Sequence, residues 1–197
     1  HPDHISHRRG TALSQQRGLP LHPVWHHPAH IAACMAEHGL AADTAPVIGL
    51  ALDGTGLGPD GTAWGCEARL CDYRTAHHAG RLARTPMPGA DRAAREPWRM
   101  LLAHLDTALG PDATTHALAL GLLPALHNRP LDTLRAMMRK GVNAPPCSSA
   151  GRLFDAMAAL LAIAPERPTP AGAAAMRLAA LPPQAPGLPA TPPTPLS

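Results

Sequence analysis

The sequence predicts an α/β protein in which a short mixed sheet precedes a helix-rich C-terminal part. Three observations carry that prediction. Val47 to Leu52 is an apolar run on both faces, ending in Asp53-Gly54-Thr55-Gly56, and the turn signal Gly58-Pro59-Asp60-Gly61 sends the chain back as a hairpin. From Asp91 onward the apolar residues recur at helical spacing. Aromatic residues make up only 3% of the chain, so the 45% that is hydrophobic is mainly Leu, Ala, Met and Val, a core suited to packed helices. At 197 residues there is enough chain for one full domain.

In order, a short helix is expected after His1-Pro2-Asp3, then an edge strand from Leu19 to Trp25, weakened by Pro20 and Pro23. A helix from Pro28 to His38 buries Ile31, Cys34 and Met35, and Gly39 ends it. Proline belongs in a first helical turn, so His26 is placed just ahead of this helix. The strand 46–53 reads as central. Thr62 to Tyr73 pairs with it, and another short strand is expected around Arg81 to Met87. Asp91 caps a helix to Glu96, and Pro97 starts the next, with Trp98, Leu101, Leu102 and Leu105 on one face. Ala113 to Leu123 and Leu131 to Lys140 follow, the second closed by Gly141. Ser148 or Ser149 caps an amphipathic helix to Ile163 that turns Leu153, Phe154, Met157, Leu160 and Leu161 inward. A last helix covers about Ala173 to Leu181. The folded part is thus residues 1–181, and the proline-rich 182–197 is expected to be a disordered tail.

Composition narrows the partners. The net charge of +3 is scattered and forms no basic stripe, which argues against nucleic acid. No apolar run approaches the roughly 20 residues of a membrane helix. Cys34, Cys66, Cys71 and Cys147 contain no CxxC pair and read as reduced thiols of a cytoplasmic protein. The chain opens on His1 rather than Met, as a segment from inside a longer product would.

Two stretches carry candidate chemistry. His26 and His30 stand four apart, a spacing that places two imidazoles on one helix face within about 5–6 Å, the reach of a shared metal ion. Asp53 ends a strand and is followed by glycines whose backbone can approach an oxyanion. Together they point to a metal beside a phosphate. Each half alone also reads as a surface pair or a hairpin turn. A zinc-protease helix needs Glu directly after its first His, and His27 stands there.

HPDHIS, HHPAHIAACMAEHGL, LDGTGLGPDGTAWG, REPWRM and NAPPCSSAGRLFDA, in that order, resemble the HypF carbamoyltransferases of [NiFe]-hydrogenase maturation over residues 1 to about 180. The matching part is similar to the TsaD-like carbamoyl-transfer domain of that family, which implies a partial actin-like ATPase fold. The resemblance implies that carbamoyl phosphate and ATP yield carbamoyl-adenylate in an upstream YrdC-like domain. The carbamoyl group then passes to the C-terminal cysteine of the partner HypE, for the cyanide ligands of the hydrogenase.

By the same resemblance His26, His30 and Asp53 are ligands of a divalent metal, iron or zinc. Asp53 and Thr55 take part in catalysis, Gly54 and Gly56 approach the phosphate or carbamoyl oxygens, and Asp155 and Gly172 lie at the nucleotide ribose. The Arg95 to Arg99 stretch is read as a helix start packing Trp98, without chemistry. Four departures stand out: Pro28 replaces a third histidine, Cys147 a threonine, and Ala171 and Ala173 flank Gly172 where Glu and Gln are usual. The family's later Ser-Gly-Gly and Asp-Gly-Gly motifs are absent, and the resemblance fades into prolines after about residue 180, as a truncation or frame change would produce. Loss of that half implies impaired activity, weak metal binding, and an uncovered apolar sheet surface. A non-catalytic docking fragment and a small-molecule O-carbamoyltransferase are the alternatives.

Overall fold

A computed structural model describes residues 1–2, 6–163 and 172–182. Helix α1 spans Ser6–Arg17. The strand expected over Leu19 to Trp25 does not form, because its two prolines remove ladder donors. Helix α2, His26–Glu37, starts two residues earlier than expected. Pro28 falls in its first turn, where a backbone N–H has no intrahelical partner to lose, so His26 is on the helix rather than ahead of it. Its buried residues His27, Ile31 and Met35 are spaced by four and form one stripe.

Strand β1, Val47–Leu57, runs four residues beyond the expected end and carries Asp53-Gly54-Thr55-Gly56 inside it. It pairs antiparallel with β2, Ala63–Cys71, which pairs antiparallel with β3, Ala76–Arg81. The strand expected around Arg81 to Met87 is therefore divided: β3 ends at Arg81, and β4 is only Thr85–Pro86. Strand β5, Pro146–Cys147, bridges β2 in parallel and β4 in antiparallel. The result is a five-stranded mixed sheet in the order β1-β2-β5-β4, with β3 also on β2.

The helical part comprises α3 (Asp91–Arg95), α4 (Pro97–Leu109), α5 (Pro111–Ala119), a 3-10 turn at Pro124–Leu126, α6 (Leu131–Lys140), α7 (Ala150–Leu160) and α8 (Ala173–Ala179). α5 starts at Pro111 and ends before the leucines expected to close it. α6 has the expected bounds, and Gly141 caps it in the left-handed conformation. Ser149 caps α7 by accepting the Arg152 N–H.

Two apolar clusters result among the described residues. Ile31 and Met35 of α2 pack on Ala51 and Cys71, and Gly49 has no side chain where Ile31 presses onto β1. The larger cluster centres on Met100, Leu101 and Leu102 of α4, with Leu126, Leu134, Ala156 and Ala159 around them. α7 meets α4 through its alanines, so Phe154, Met157 and Leu161, expected inward, face solvent; close packing of two helices favours the small-residue face.

β1 is likewise not a covered central strand among the described residues. One face lies on α2, while Ile48, Leu50 and Leu52 are 73%, 69% and 66% exposed. The uncovered apolar surface is as expected. All four cysteines are free thiols. No helix among the described residues is long and apolar enough to cross a membrane. The tail expected from residue 182 lies outside the described residues apart from Pro182 itself.

Candidate functional site

The site forms where β1 leaves regular pairing. Leu52 pairs with Cys66 and Gly56 with Trp64, so Asp53, Gly54 and Thr55 together face the single residue Gly65. Such a bulge bends the strand and re-aims its side chains. Asp53 Oδ2 reaches 3.3 Å from His26 Nε2 and 3.6 Å from His27 Nε2. Its other oxygen, Oδ1, accepts the Gly54 N–H.

Glycines permit each close approach. A Cβ on Gly65 would lie 2.6 Å from the Asp53 carbonyl oxygen and 2.9 Å from Ser149 Cα. One on Gly56 would meet the His27 ring at 2.9 Å, and one on Gly151 would meet Gly54 Cα at 2.8 Å. The bulge is thus wedged between α2 and the N-terminus of α7. Ser149 Oγ holds it there, 3.0 Å from the Asp53 carbonyl oxygen and 2.6 Å from that of Gly54.

A polar set stands behind the bulge. The fully buried Glu67 accepts a hydrogen bond from Ser148 Oγ and lies 2.9 Å from His78 Nε2. The His27 ring is parallel to Trp64, with a 4° interplanar angle. Burial pushes the His27 imidazole below its ordinary pKa, against the opposing pull of Asp53. His27 Nε2 and Asp53 Oδ2 are both buried without an aligned hydrogen-bond partner among the described residues.

The structure brings together His26, Asp53, Gly54 and Gly56. His30 lies one turn along α2, exposed, its ring edge-on to that of His26 at 4.4 Å between centroids. Thr55 is exposed on the bulge. Asp155 sits on α7 six residues beyond Ser149, nearly two turns on, buried, with Arg152 Nε at 2.8 Å. Burial raises its carboxyl to about 6, with Arg152 pulling the other way. Gly172 caps α8 in the left-handed conformation, φ 86°, and α8 packs on α7. Neither Asp155 nor Gly172 joins the Asp53 cluster.

His27, Glu67, His78 and the Ser149 clamp are absent from the sequence-based site. His27 has a signal, its four-residue spacing to Ile31 and Met35, which marks the helix face turned to the sheet, and Ser149 is legible as a helix cap though not as a clamp. Glu67 and Ser148 are 81 residues apart, and only the β2–β5 bridge brings them together.

Imidazole and carboxylate donors suit a borderline divalent ion, and the unpartnered Asp53 and His27 atoms leave coordination capacity in the site. Among the described residues, however, no three His, Cys, Asp or Glu side chains gather closely enough to hold one. The expected triad is therefore present as a converged pair, His26 and Asp53, with His30 beside it. The residues fit part of a coordination shell.

The same chain matches the family model "HypF Kae1-like domain" over residues 1–37 and "Carbamoyltransferase, Kae1-like Domain, second subdomain" over residues 49–191. It is 48% identical over 181 residues to carbamoyltransferase HypF of Rhodobacter capsulatus, covering 92% of this chain and 23% of that protein. To carbamoyltransferase HypF2 of Cupriavidus necator it is 47% identical over 161 residues, covering 82% of this chain and 19% of the relative. Its fold matches a crystal structure of full-length HypF in the phosphate- and nucleotide-bound form, with TM-score 0.73 and 34% identity over 90% of this chain and 22% of that one.

Sheet, bulge and matches define part of a Kae1-like carbamoyltransferase domain, the α/β fold expected. The chain belongs to the HypF carbamoyltransferase family. It spans less than a quarter of the length of these relatives. The match runs to residue 191, past the residue near 180 where the resemblance was expected to fade.

Proposed function

We propose that this chain supplies the Asp53 side of a HypF-type carbamoyl-transfer site, in which a carbamoyl group passes from carbamoyl-adenylate to the C-terminal cysteine of HypE. The observation that carries the proposal is the β1 bulge. It holds the Asp53 carboxylate 3.3 Å from His26 Nε2, beside backbone that glycines leave open. In this reading His26, His30 and Asp53 hold a divalent ion, iron or zinc, which when bound polarises the carbamoyl oxygen. Gly54 and Gly56 admit phosphate or carbamoyl oxygens close to the backbone, and the exposed Thr55 hydroxyl offers one more donor. Ser149 and the N-terminus of α7 fix the bulge so that Asp53 does not turn away when substrate arrives. Asp155 and Gly172 are assigned to the ribose, Asp155 on α7, whose N-terminus holds the bulge, and Gly172 at the start of α8, which packs on α7. The acceptor thiol comes from HypE, and the free cysteines here have no part in the reaction.

Carbamoyl transfer to HypE from preformed carbamoyl-adenylate tests this, with the chain alone and joined to the rest of a HypF protein. The joined protein is expected to turn over, and the chain alone to be impaired. Asp53→Asn in the joined protein is expected to lower kcat at least a hundredfold, and an unchanged rate contradicts the assignment.

A second reading, a docking fragment without chemistry, is favoured by the lack of a three-ligand cluster among the described residues. It expects HypE capture to survive His26→Ala and Asp53→Ala, and Asp53→Asn to leave turnover untouched.

A further inference from the structure

We infer that the arginine-rimmed groove formed by α3, α4, the Pro124–Leu126 turn and the end of α7 is a docking site for an acidic, partly apolar segment of a partner protein. This is the stretch around Arg95 to Arg99 that the sequence reading leaves without chemistry. Trp98 forms the floor, buried, with the Arg99 guanidinium 4.8 Å and the Arg129 guanidinium 4.9 Å from its ring centre. Arg92, Arg95, Arg99 and Arg129 line the groove against one carboxylate, Glu96.

That carboxylate is already shared. Glu96 receives Arg92 Nε at 2.5 Å and Arg99 Nε at 2.6 Å, and Arg99 also donates to the Pro88 carbonyl. Arg95 and Arg129 are exposed and have no carboxylate within 4.0 Å among the described residues. A guanidinium stacked on an indole is weakly hydrated and presents its edge donors outward, ready for a bidentate carboxylate.

The shape selects the class of ligand. The two uncommitted guanidiniums come from different elements, the end of α3 and the loop before α6. Pro97, Trp98, Pro124 and Pro130 lie among them. A segment carrying carboxylates and apolar side chains together complements both the guanidiniums and the proline and indole surface that lies among them. Two free cations are also too few for a nucleic-acid track, which gains its affinity from many phosphates. The groove stands about 12 Å along α7 from the Asp53 bulge, from Gly151 to Ala159 at 1.5 Å per residue, and does not depend on the carbamoyl-transfer reading.

Fluorescence anisotropy tests the inference with the full chain. The probe is a short labelled peptide alternating pairs of glutamates with single leucines. The comparisons are its lysine counterpart, a single-stranded oligodeoxynucleotide, and inorganic phosphate as competitor. Saturable binding of the acidic peptide alone is expected, weakening with salt and falling about tenfold or more in Arg95→Glu/Arg129→Glu. Arg95→Gln, at an exposed side chain without an ion-pair partner, is expected to weaken binding severalfold with an unchanged circular dichroism spectrum. Equal affinity in both variants, no binding by the parent chain, preference for the oligonucleotide, or displacement by equimolar phosphate would each overturn it.

Discussion

The Ser149 hydroxyl lies 3.0 Å from the Asp53 carbonyl oxygen and 2.6 Å from its neighbour's, while accepting the Arg152 N–H in the first turn of α7. One side chain therefore caps a helix and clamps the bulge of a strand 96 residues away in sequence. Ser149→Ala removes the cap and the one O–H donor that the two carbonyls share, a loss of about 1–3 kcal/mol. Urea denaturation measures it. Divalent-ion affinity is expected to fall on the order of tenfold as the bulge loosens, and unchanged stability and affinity would show that the clamp is idle.

Gly65 is the residue that the bulge and α7 share. A methyl group there would sit 2.6 Å from one backbone and 2.9 Å from the other, and backbone cannot swing aside. Gly65→Ala is expected to cost about 2–3 kcal/mol or more. Gly80→Ala, whose Cβ would meet only Ala68 at 4.0 Å, stays within about 1 kcal/mol of the parent. Thermal denaturation of the pair makes the comparison.

How much of this was legible in the sequence depends on the range of the contact. Leu131 to Lys140 is bracketed by Pro130 and Gly141, so both its ends follow from local rules. The hairpin of β1 and β2 follows from its turn residues. Asp53 is legible as a site residue from its glycines, but not the bulge that aims it, because two extra residues in a strand leave no mark on apolar alternation. Pro28 misplaced the start of α2: a proline third in the helix satisfies the same first-turn rule as one in the first position. On α7, apolar bulk pointed to Phe154 and Met157 as the packed face, whereas close contact with α4 selects Ala156 and Ala159. Glu67, Ser148 and His78 meet only through the sheet, which no spacing reveals.

Ile48, Leu50 and Leu52 share one open face of an edge strand, a template for association between copies of the chain. Leu50→Lys is expected to reduce self-association of the isolated chain in analytical ultracentrifugation. Its unfolding free energy should stay within about 0.5 kcal/mol of the parent, since no packed contact is lost. Undiminished association would place the sticky surface elsewhere.

Asp155 sets a pH dependence of known sign. Its carboxyl is raised to about 6, first by burial and against the pull of Arg152, so the folded state holds a proton that the unfolded chain releases near its ordinary value of 3.8. Stability from this group is therefore full below that value, falls as pH rises toward 6, and is flat above, a change of about 3 kcal/mol. Between pH 4 and 7 the stability difference between Asp155→Asn and the parent should move in the variant's favour by about 2–3 kcal/mol. A constant difference would mean that Asp155 ionises freely in the fold.

The most direct test of the account is where a divalent ion binds. Crystals grown with zinc, read by anomalous diffraction, are expected to show one ion at His26, His30 and Asp53. In solution, His26→Ala and Asp53→Ala are expected to abolish stoichiometric uptake. An ion held instead by the free cysteines, or uptake indifferent to both substitutions, would contradict the reading of the Asp53 bulge as a metal-assisted carbamoyl-transfer site.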